Sequence, residues 1–209
     1  MRLQNETSPN PADALPRFQD EVTRRMLQQR RIMLTGAIDG NVAERVCAQL
    51  LVLEADAPDQ PISLYLHSPG GEVDAGFAIY DAMQSLRCEV ATVCMGFAAS
   101  MAQFILVGGA PGKRSAYAHS RILMHQPHGA VQGYAVDVAI QAEQFTRMRE
   151  LMAELTAQHC GQPVERVLVD GERDRWFTPE EALDYGMIDE IIAPSATRDQ
   201  RVPARCAQP

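Results

Sequence analysis

Strand signals and helix signals alternate through the middle of this 209-residue chain, and this alternation constrains the fold more than any other feature. Apolar residues at helical spacing predict a helix over residues 41–54, capped by Asn41, and a short β-prone run follows at 62–66. Further helices are predicted at 73–86, at 100–107 and from a capped start at Thr178, with strands at 90–93, 122–124 and 187–192. Strands separated by helices imply right-handed βαβ crossovers and a largely parallel sheet, an α/β fold.

The segment from residue 135 to residue 160 differs from the rest, because it predicts one long helix ended by Gly161. Such a helix is about 39 Å long, which is more than a domain of this size needs. A narrow apolar stripe follows one edge, at Phe145, Met148, Met152 and Leu155. A long helix with one narrow apolar edge favours packing against another chain. The alternative is a peripheral helix that packs on the core of its own chain.

The two ends of the chain are polar and rich in proline. We therefore predict a mobile N-terminal arm over residues 1–20, one ordered domain over 21–193 and a mobile tail over 194–209. The first residues lack the apolar segment of a secretory signal, and no window approaches the roughly 20 apolar residues of a membrane helix. A soluble cytoplasmic protein is the expectation.

Charge and cysteine content argue against two classes of protein. A net charge of −8 disfavours nucleic-acid binding, which requires a basic face. The five cysteines are odd in number and include no C-x-x-C pair. This pattern favours reduced thiols in the cytosol over a disulfide framework or a zinc site, and no metal is expected.

Ser100 is the candidate nucleophile. It follows a predicted strand and begins a predicted helix, and its small neighbours leave the hydroxyl approachable. The structural alternative is a helix cap, since Ser100 followed by Gln103 also forms a capping box.

His125 and Asp174 are candidates for the partners of such a nucleophile. His125 ends a predicted strand and is followed by Gln126-Pro127, so the chain turns outward where sites form in parallel sheets. With His128 it also makes an H-x-x-H pair, but no further ligand cluster supports a metal site. Asp174 lies in a charged loop. Its chemical role there would be to accept a hydrogen bond from the N–H of an imidazole and so fix the tautomer of that ring. The alternatives are a structural histidine and a solvated turn.

Gly70-Gly71 lies between a predicted strand and a predicted helix. Such a turn can present backbone N–H groups to an oxyanion, although a simple tight turn is the alternative. The order along the chain is an oxyanion turn, a nucleophile, a base and a carboxylate, each at a strand exit.

Five strings resemble the Clp protease proteolytic subunit in order, from about Arg31 to Ile192: SLYLHSPGGEVDAG, MGFAASMAQFIL, GKR, SRILMHQPHGAVQG and ERDRWFTPEEALDYGMID. The resemblance implies a crotonase-like α/β fold with a protruding handle helix. It also implies a serine endopeptidase whose triad is Ser100, His125 and Asp174. The N–H groups of Gly71 and Met101 then form the oxyanion hole.

The resemblance further implies an assembly. The long helix matches the handle that interlocks two heptameric rings around a chamber, and Glu172 and Arg173 match the acidic–Arg pair that links the rings. Partners are copies of this chain or paralogous subunits, together with a hexameric ATPase that unfolds protein substrates. No cofactor is expected in this chain, because ATP is used by that partner.

Two departures from the family pattern concern the ATPase. The usual axial-loop sequence is not recognisable in residues 1–20. Ser63 and Ser115 stand where the family often has aromatic residues in the docking pocket, while Tyr65 is kept. Docking through another subunit of a mixed ring is therefore an alternative to direct docking.

Three rival functions remain at this point. The first is an acyl-CoA hydratase or isomerase on the same fold, which would use carboxylates instead of a Ser–His pair. The second is a structural, weakly active subunit of a mixed Clp ring. The third is a Ser–Lys peptidase, which Lys113, the one lysine of the chain, makes improbable because it lies in a loop matched to Clp subunits.

Overall fold

The computed structural model describes residues 11–127 and 132–194, with side chains from residue 18 onward. Its helices are α1 (Pro11–Gln28), α2 (Gly40–Asp56), α3 (Val73–Ser85), α4 (Met101–Val107), α5 (Ala135–Cys160), α6 (Val164–Asp170) and α7 (Pro179–Tyr185). Its strands are β1 (Arg31–Thr35), β2 (Ile62–Ser68), β3 (Val90–Ala99), β4 (Arg114–Tyr117), β5 (Arg121–Met124), β6 (Arg175–Phe177) and β7 (Glu190–Ile192). The described part of the chain contains no helix that is both long and apolar enough to cross a membrane.

The strands form one largely parallel sheet in the order β1-β2-β3-β4-β7, with β5 beside the end of β3 and β6 beside β5. The β5–β6 pair is antiparallel, whereas the other pairs are parallel. The predicted α/β class with a largely parallel sheet is therefore confirmed. Within β3 the register against β2 shifts between Leu66 and Ser68, so the last part of β3 can leave β4 and pair with β5 instead.

Helix α4 lies at the centre of the molecule. All seven of its residues are buried, and it contacts β3, α3 and α5. Because α4 is surrounded on every side, it carries no amphipathic pattern and its sequence is almost wholly apolar. The residue that begins it, Ser100, is consequently held by the core on one side and by the sheet on the other.

The start of α2 differs from the prediction. The cap is Asp39, whose side chain accepts a hydrogen bond of 2.8 Å from the backbone N–H of Val42. Asn41 lies inside the helix, so its prediction as the cap is wrong. Both residues are good caps in isolation, and the backbone after β1 decides which of them is still extended.

The predicted N-terminal arm over residues 1–20 overlaps α1, which begins at Pro11. Glu21 bridges Arg24 and Arg25 one turn later, and Leu27 packs against the core. These contacts support a helix at a position where the polar sequence predicted none. Residues 1–10 of the arm and residues 195–209 of the predicted tail lie outside the described residues.

The long helix α5 has the predicted bounds, but its apolar stripe is divided. Met152 and Leu155 pack against the core of their own chain, while Phe145 remains 39% exposed. The reading of the whole stripe as a surface for another chain is therefore wrong for its C-terminal half. In the N-terminal half of α5 the apolar residues Val136 and Ile140 are exposed.

Candidate active site

Strand register brings Ser100, His125 and Asp174 to one edge of the sheet. Ala99 of β3 pairs with Leu123 of β5, and the N–H of Ser100 donates a 3.0 Å hydrogen bond to the carbonyl of Leu123. Met124 of β5 pairs with Arg175 of β6. Ser100 and His125 each follow the last residue of a strand, and Asp174 precedes the first residue of the antiparallel strand beside them. The three residues thus extend three adjacent strands at the same end.

The backbone of Ser100 is strained, with φ of 55° and ψ of −123°. In the described residues, Arg30 is the one other non-glycine residue with positive φ. A sharp strand-to-helix turn of this kind pushes a serine hydroxyl out of the sheet, as in a nucleophile elbow. The Ser100 side chain makes no cap hydrogen bond, so the capping-box alternative with Gln103 is wrong. The conformation favours the chemical role over the structural one.

Gly70 lets the turn after β2 approach Ser100. A β-carbon on Gly70 would lie 2.6 Å from the carbonyl oxygen of Ala99 and 2.6 Å from Cβ of Ser100. Its φ of +88° is also one that side chains rarely adopt. Ser68, which is fully buried, accepts a 3.0 Å hydrogen bond from the N–H of Gly70 and orders the turn. Ser68 is a site residue that the sequence reasoning missed, although a serine two residues before the glycine is a turn signal.

The N–H of Gly71 faces the nucleophile side of this turn. Ile38 donates to the carbonyl of Gly70 at 2.9 Å and accepts from the N–H of Glu72 at 2.8 Å. In such a parallel bridge the N–H of Gly71 itself is directed away from Ile38. Since Ile38 continues the β1 side, the N–H of Gly71 is directed to the β3 side, where Ser100 lies.

Met101 supplies a second backbone donor. It is the first residue of α4 and is completely buried. The first N–H groups of a helix have no intrahelical acceptor, so the N–H of Met101, in the residue after Ser100, has none within α4. The turn and the helix start together present two donors of the kind that an oxyanion requires.

The loop that carries Asp174 is tied to the turn that carries His125. The N–H of Gln126 donates to the carbonyl of Gly171 at 2.7 Å, and its side-chain amide donates to the carbonyl of Glu172 at 3.1 Å. His125 is half-buried and Asp174 is exposed. His128, the other half of the H-x-x-H pair, lies outside the described residues.

A sequence model of the Clp protease family matches residues 16–195. The chain belongs to the Clp protease family. Its predicted Clp-type fold and its predicted class, a serine-type endopeptidase, are confirmed at the level of the family.

Curated members of the Clp protease family resemble the chain over most of its length. The ATP-dependent Clp protease proteolytic subunit 2 of Rhodococcus jostii (strain RHA1) is 51% identical over 177 residues, which cover 85% of this chain and 91% of the relative. Subunit 1 of Frankia casuarinae is 50% identical over 182 residues, covering 87% and 85%. Subunit 1 of Mycobacterium leprae is 52% identical over 173 residues, covering 83% and 86%. An acyl-CoA hydratase or isomerase is not favoured by these similarities.

The two residues expected at the ring contact of Clp proteases lie next to the site. Glu172 and Arg173 are both exposed, in the loop between α6 and β6. The carbonyl of Glu172 holds Gln126, so the loop connects the predicted contact to the His125 turn.

Proposed function

We propose that this chain is a catalytic subunit of an ATP-dependent Clp-type endopeptidase, with Ser100 as nucleophile, His125 as general base and Asp174 as the residue that orients His125. The observation that carries the proposal is the register that places these residues at adjacent ends of β3, β5 and β6. Peptide bonds of unfolded proteins are the substrates.

Acylation follows from this arrangement. The imidazole of His125 takes the proton of the Ser100 hydroxyl as the oxygen attacks the peptide carbonyl carbon, because an unassisted serine hydroxyl is a poor nucleophile at neutral pH. Asp174 accepts the other imidazole N–H and stabilises the imidazolium that forms. The imidazolium then gives its proton to the leaving amine, and the C–N bond breaks to leave an ester on Ser100.

The two backbone donors stabilise both tetrahedral intermediates. The oxyanion accepts hydrogen bonds from the N–H groups of Gly71 and Met101. In the second step His125 deprotonates a water molecule that attacks the ester carbonyl carbon, and the Ser100 oxygen leaves with the proton returned to it. No cofactor takes part in either step.

The assembly is two stacked heptameric rings that enclose the active sites. The exposed N-terminal half of α5 supports this proposal, since Val136 is 71% exposed and Ile140 is 55% exposed in the single chain. Burying them against an equivalent helix removes apolar surface from water. Glu172 and Arg173 form the polar part of the contact between rings. The rings contain this chain alone or this chain with a paralogous subunit.

The partner that uses ATP is a hexameric unfoldase. One face of the sheet carries three half-buried residues, Ser63, Tyr65 and Ser115. They share this face because Tyr65 pairs with Val93, which in turn pairs with Ser115. Serines offer little contact area where buried aromatic residues usually anchor a peptide loop, so this face grips an ATPase loop weakly. Docking through a paralogous ring follows from that weakness.

Direct measurement separates the two modes of docking. Homomeric rings are titrated with the ATPase before and after the change Ser63→Tyr with Ser115→Phe. Weak binding that the double substitution strengthens supports docking through another subunit. Tight binding by unmodified rings contradicts it.

The catalytic proposal is tested with a fluorophosphonate probe and a fluorogenic peptide. We expect covalent labelling at Ser100, identified by peptide mass spectrometry, and loss of both labelling and hydrolysis in Ser100→Ala. Labelling at another serine, or hydrolysis that survives the substitution, would remove the assignment.

The free thiols of Cys47, Cys88, Cys94 and Cys160 support a reducing, cytoplasmic location.

A further inference from the structure

Gln103 carries a buried amide that the reaction described above does not use. The residue is 4% exposed in the first turn of α4, and within the described residues its Nε2 atom has no hydrogen-bond partner. Buried amide N–H groups are almost always paired in folded proteins, because an unpaired donor keeps the full cost of leaving water. The amide of Gln103 therefore requires an acceptor that is not a described protein group.

A cavity adjoins this amide. It has a volume of about 40 Å³ and is lined in part by Gln103, Met124, His125, Gln126, Arg149 and Thr156. A polar cavity above roughly 10–15 Å³ accommodates a water molecule. Water is the ligand that fits both the volume and the unpaired donor.

We propose that the amide of Gln103 holds an ordered water molecule in this cavity, and that the water fixes the imidazole of His125 relative to Ser100. Gln103 is then a positioning residue, and this inference rests on the proposed role of His125. Gln103 lies in the first turn of the helix that Ser100 begins, where the N–H of Phe104 donates to the carbonyl of Ser100 at 3.0 Å. A water held by Gln103 thus connects the nucleophile helix to the base.

The wall of the cavity around the water is rigid, which makes positioning effective. Gln126 is bonded to the carbonyls of Gly171 and Glu172. Thr156 is 4% exposed on α5. Because the surrounding groups are held, a water fixed at Gln103 restricts where the imidazole of His125 can lie.

A purely structural role for Gln103 makes the opposite prediction, and Gln103→Met distinguishes the two. Methionine is of similar length and fills the same space without an unpaired donor. We expect the melting temperature of the ring assembly to stay equal or rise. We expect kcat to fall roughly tenfold at unchanged KM, since a positioned general base contributes about 10²–10⁴ and the variant displaces it without removing it. The fluorophosphonate labelling rate should fall by the same factor.

Gln162→Met is the matched control. The amide of Gln162 is already satisfied, because it donates to the carbonyl of Tyr185 at 2.9 Å, and the residue does not line the cavity. Its substitution should lower the melting temperature and leave kcat unchanged. The two glutamines therefore give opposite results in stability and in rate.

Gln103→Glu adds a dependence on pH. A carboxyl group donates a hydrogen bond only when it is protonated, so the ratio of the variant's kcat to that of the wild type should fall as the pH rises. Of the residues that line the cavity, His125 and Arg149 are the charged or titratable ones. A ratio that does not change with pH contradicts a donor role.

Wild-type kcat and labelling rate in Gln103→Met would overturn the inference. So would a crystal structure of the wild type in which the amide of Gln103 contacts no water in the cavity. Either result leaves the catalytic proposal intact, because that proposal is tested separately, by the labelling of Ser100 and the loss of hydrolysis in Ser100→Ala.

Discussion

Gly70 and Ser100 lie so close together that a β-carbon on Gly70 would come within 2.6 Å of Cβ of Ser100. Two turns that are separated by about thirty residues in sequence therefore meet without a side chain between them. In the proposed mechanism, this close approach lets the N–H of Gly71 donate to the carbonyl of a substrate bound at the Ser100 hydroxyl.

Gly70→Ala should abolish peptide hydrolysis. The added methyl group overlaps the Ser100 turn, and the φ of +88° strains any side chain. Gly36→Ala is the matched control, since Gly36 has a similar φ of +78° and nothing within 4 Å of the added carbon. We expect the control to lose some stability and keep its kcat. Equal activity in both variants would contradict the role of the turn.

Ser100→Ala should eliminate hydrolysis and leave the ring assembly unchanged, because the hydroxyl makes no cap hydrogen bond whose loss would destabilise α4. Ser85→Ala is the control, since the Ser85 hydroxyl bonds the carbonyl of Ala82 on an exposed helix end. Peptidase assays and sedimentation velocity check both variants. A change of assembly in Ser100→Ala would mean that the residue also supports the structure.

Asp174→Asn should lower kcat by roughly 10⁴ if its carboxylate selects the imidazole tautomer as in other serine triads. His125→Ala should lose activity nearly as fully. Combining either change with Ser100→Ala should add little, because triad residues act as one unit. Steady-state kinetics on a fluorogenic peptide measure these effects, and additive losses would indicate a different mechanism.

Met148→Asp should weaken the pairing of rings and reduce activity with it. Met148 lies on the part of the apolar stripe that does not pack on its own core, so an interface there would bury an unpaired carboxylate at a cost of several kcal/mol. Thr146→Asp places the same charge on an exposed position of α5 nearby. Sedimentation should show smaller particles for Met148→Asp alone. Unchanged sedimentation would favour a peripheral helix.

Acid should destabilise the subunit through Asp189. Burial raises the pKa of this carboxyl, but the hydrogen bonds and charge of Arg114 outweigh that effect and hold the pKa below its ordinary value. A lowered folded-state pKa contributes stability that is present above the unfolded pKa of about 3.9 and is lost as the pH falls through the folded value. Urea unfolding of Asp189→Asn should therefore depend less on pH below about 5 than that of the wild type. An identical pH dependence would contradict this contribution.

Local signals predicted the helices and caps that depend on a few neighbouring residues. The bounds of α5 match its periodic pattern and its terminal Gly161, which adopts the left-handed conformation. The capping box between Thr178 and Glu181 is present. Both features are stabilised within the segment itself, so the amino-acid sequence of the segment is sufficient to predict them.

Elements that owe their structure to distant partners were missed or misjudged. β1, β4 and β6 are short strands without a distinctive pattern, and each is held by pairing with a strand elsewhere in the sheet. β3 was predicted to end at residue 93, whereas it runs to Ala99 because its second half pairs with β5. Strand propensity cannot show this, since it reports fit to a pleated surface and not the neighbour that supplies it.

The sequence by itself indicated the residues that we propose carry the chemistry, because Ser100, His125 and the Gly70-Gly71 turn each stand beside a local signal for a strand end and Asp174 lies in a charged loop. Only the tertiary structure decided that they share one edge of the sheet and that the amide of Gln103 is enclosed behind them. It also decided that Met152 packs against the hydrophobic core of the chain, whereas Phe145 on the same helix remains exposed. Local propensity acts over a few residues, whereas register, close approach and burial are set by packing between segments far apart in the chain.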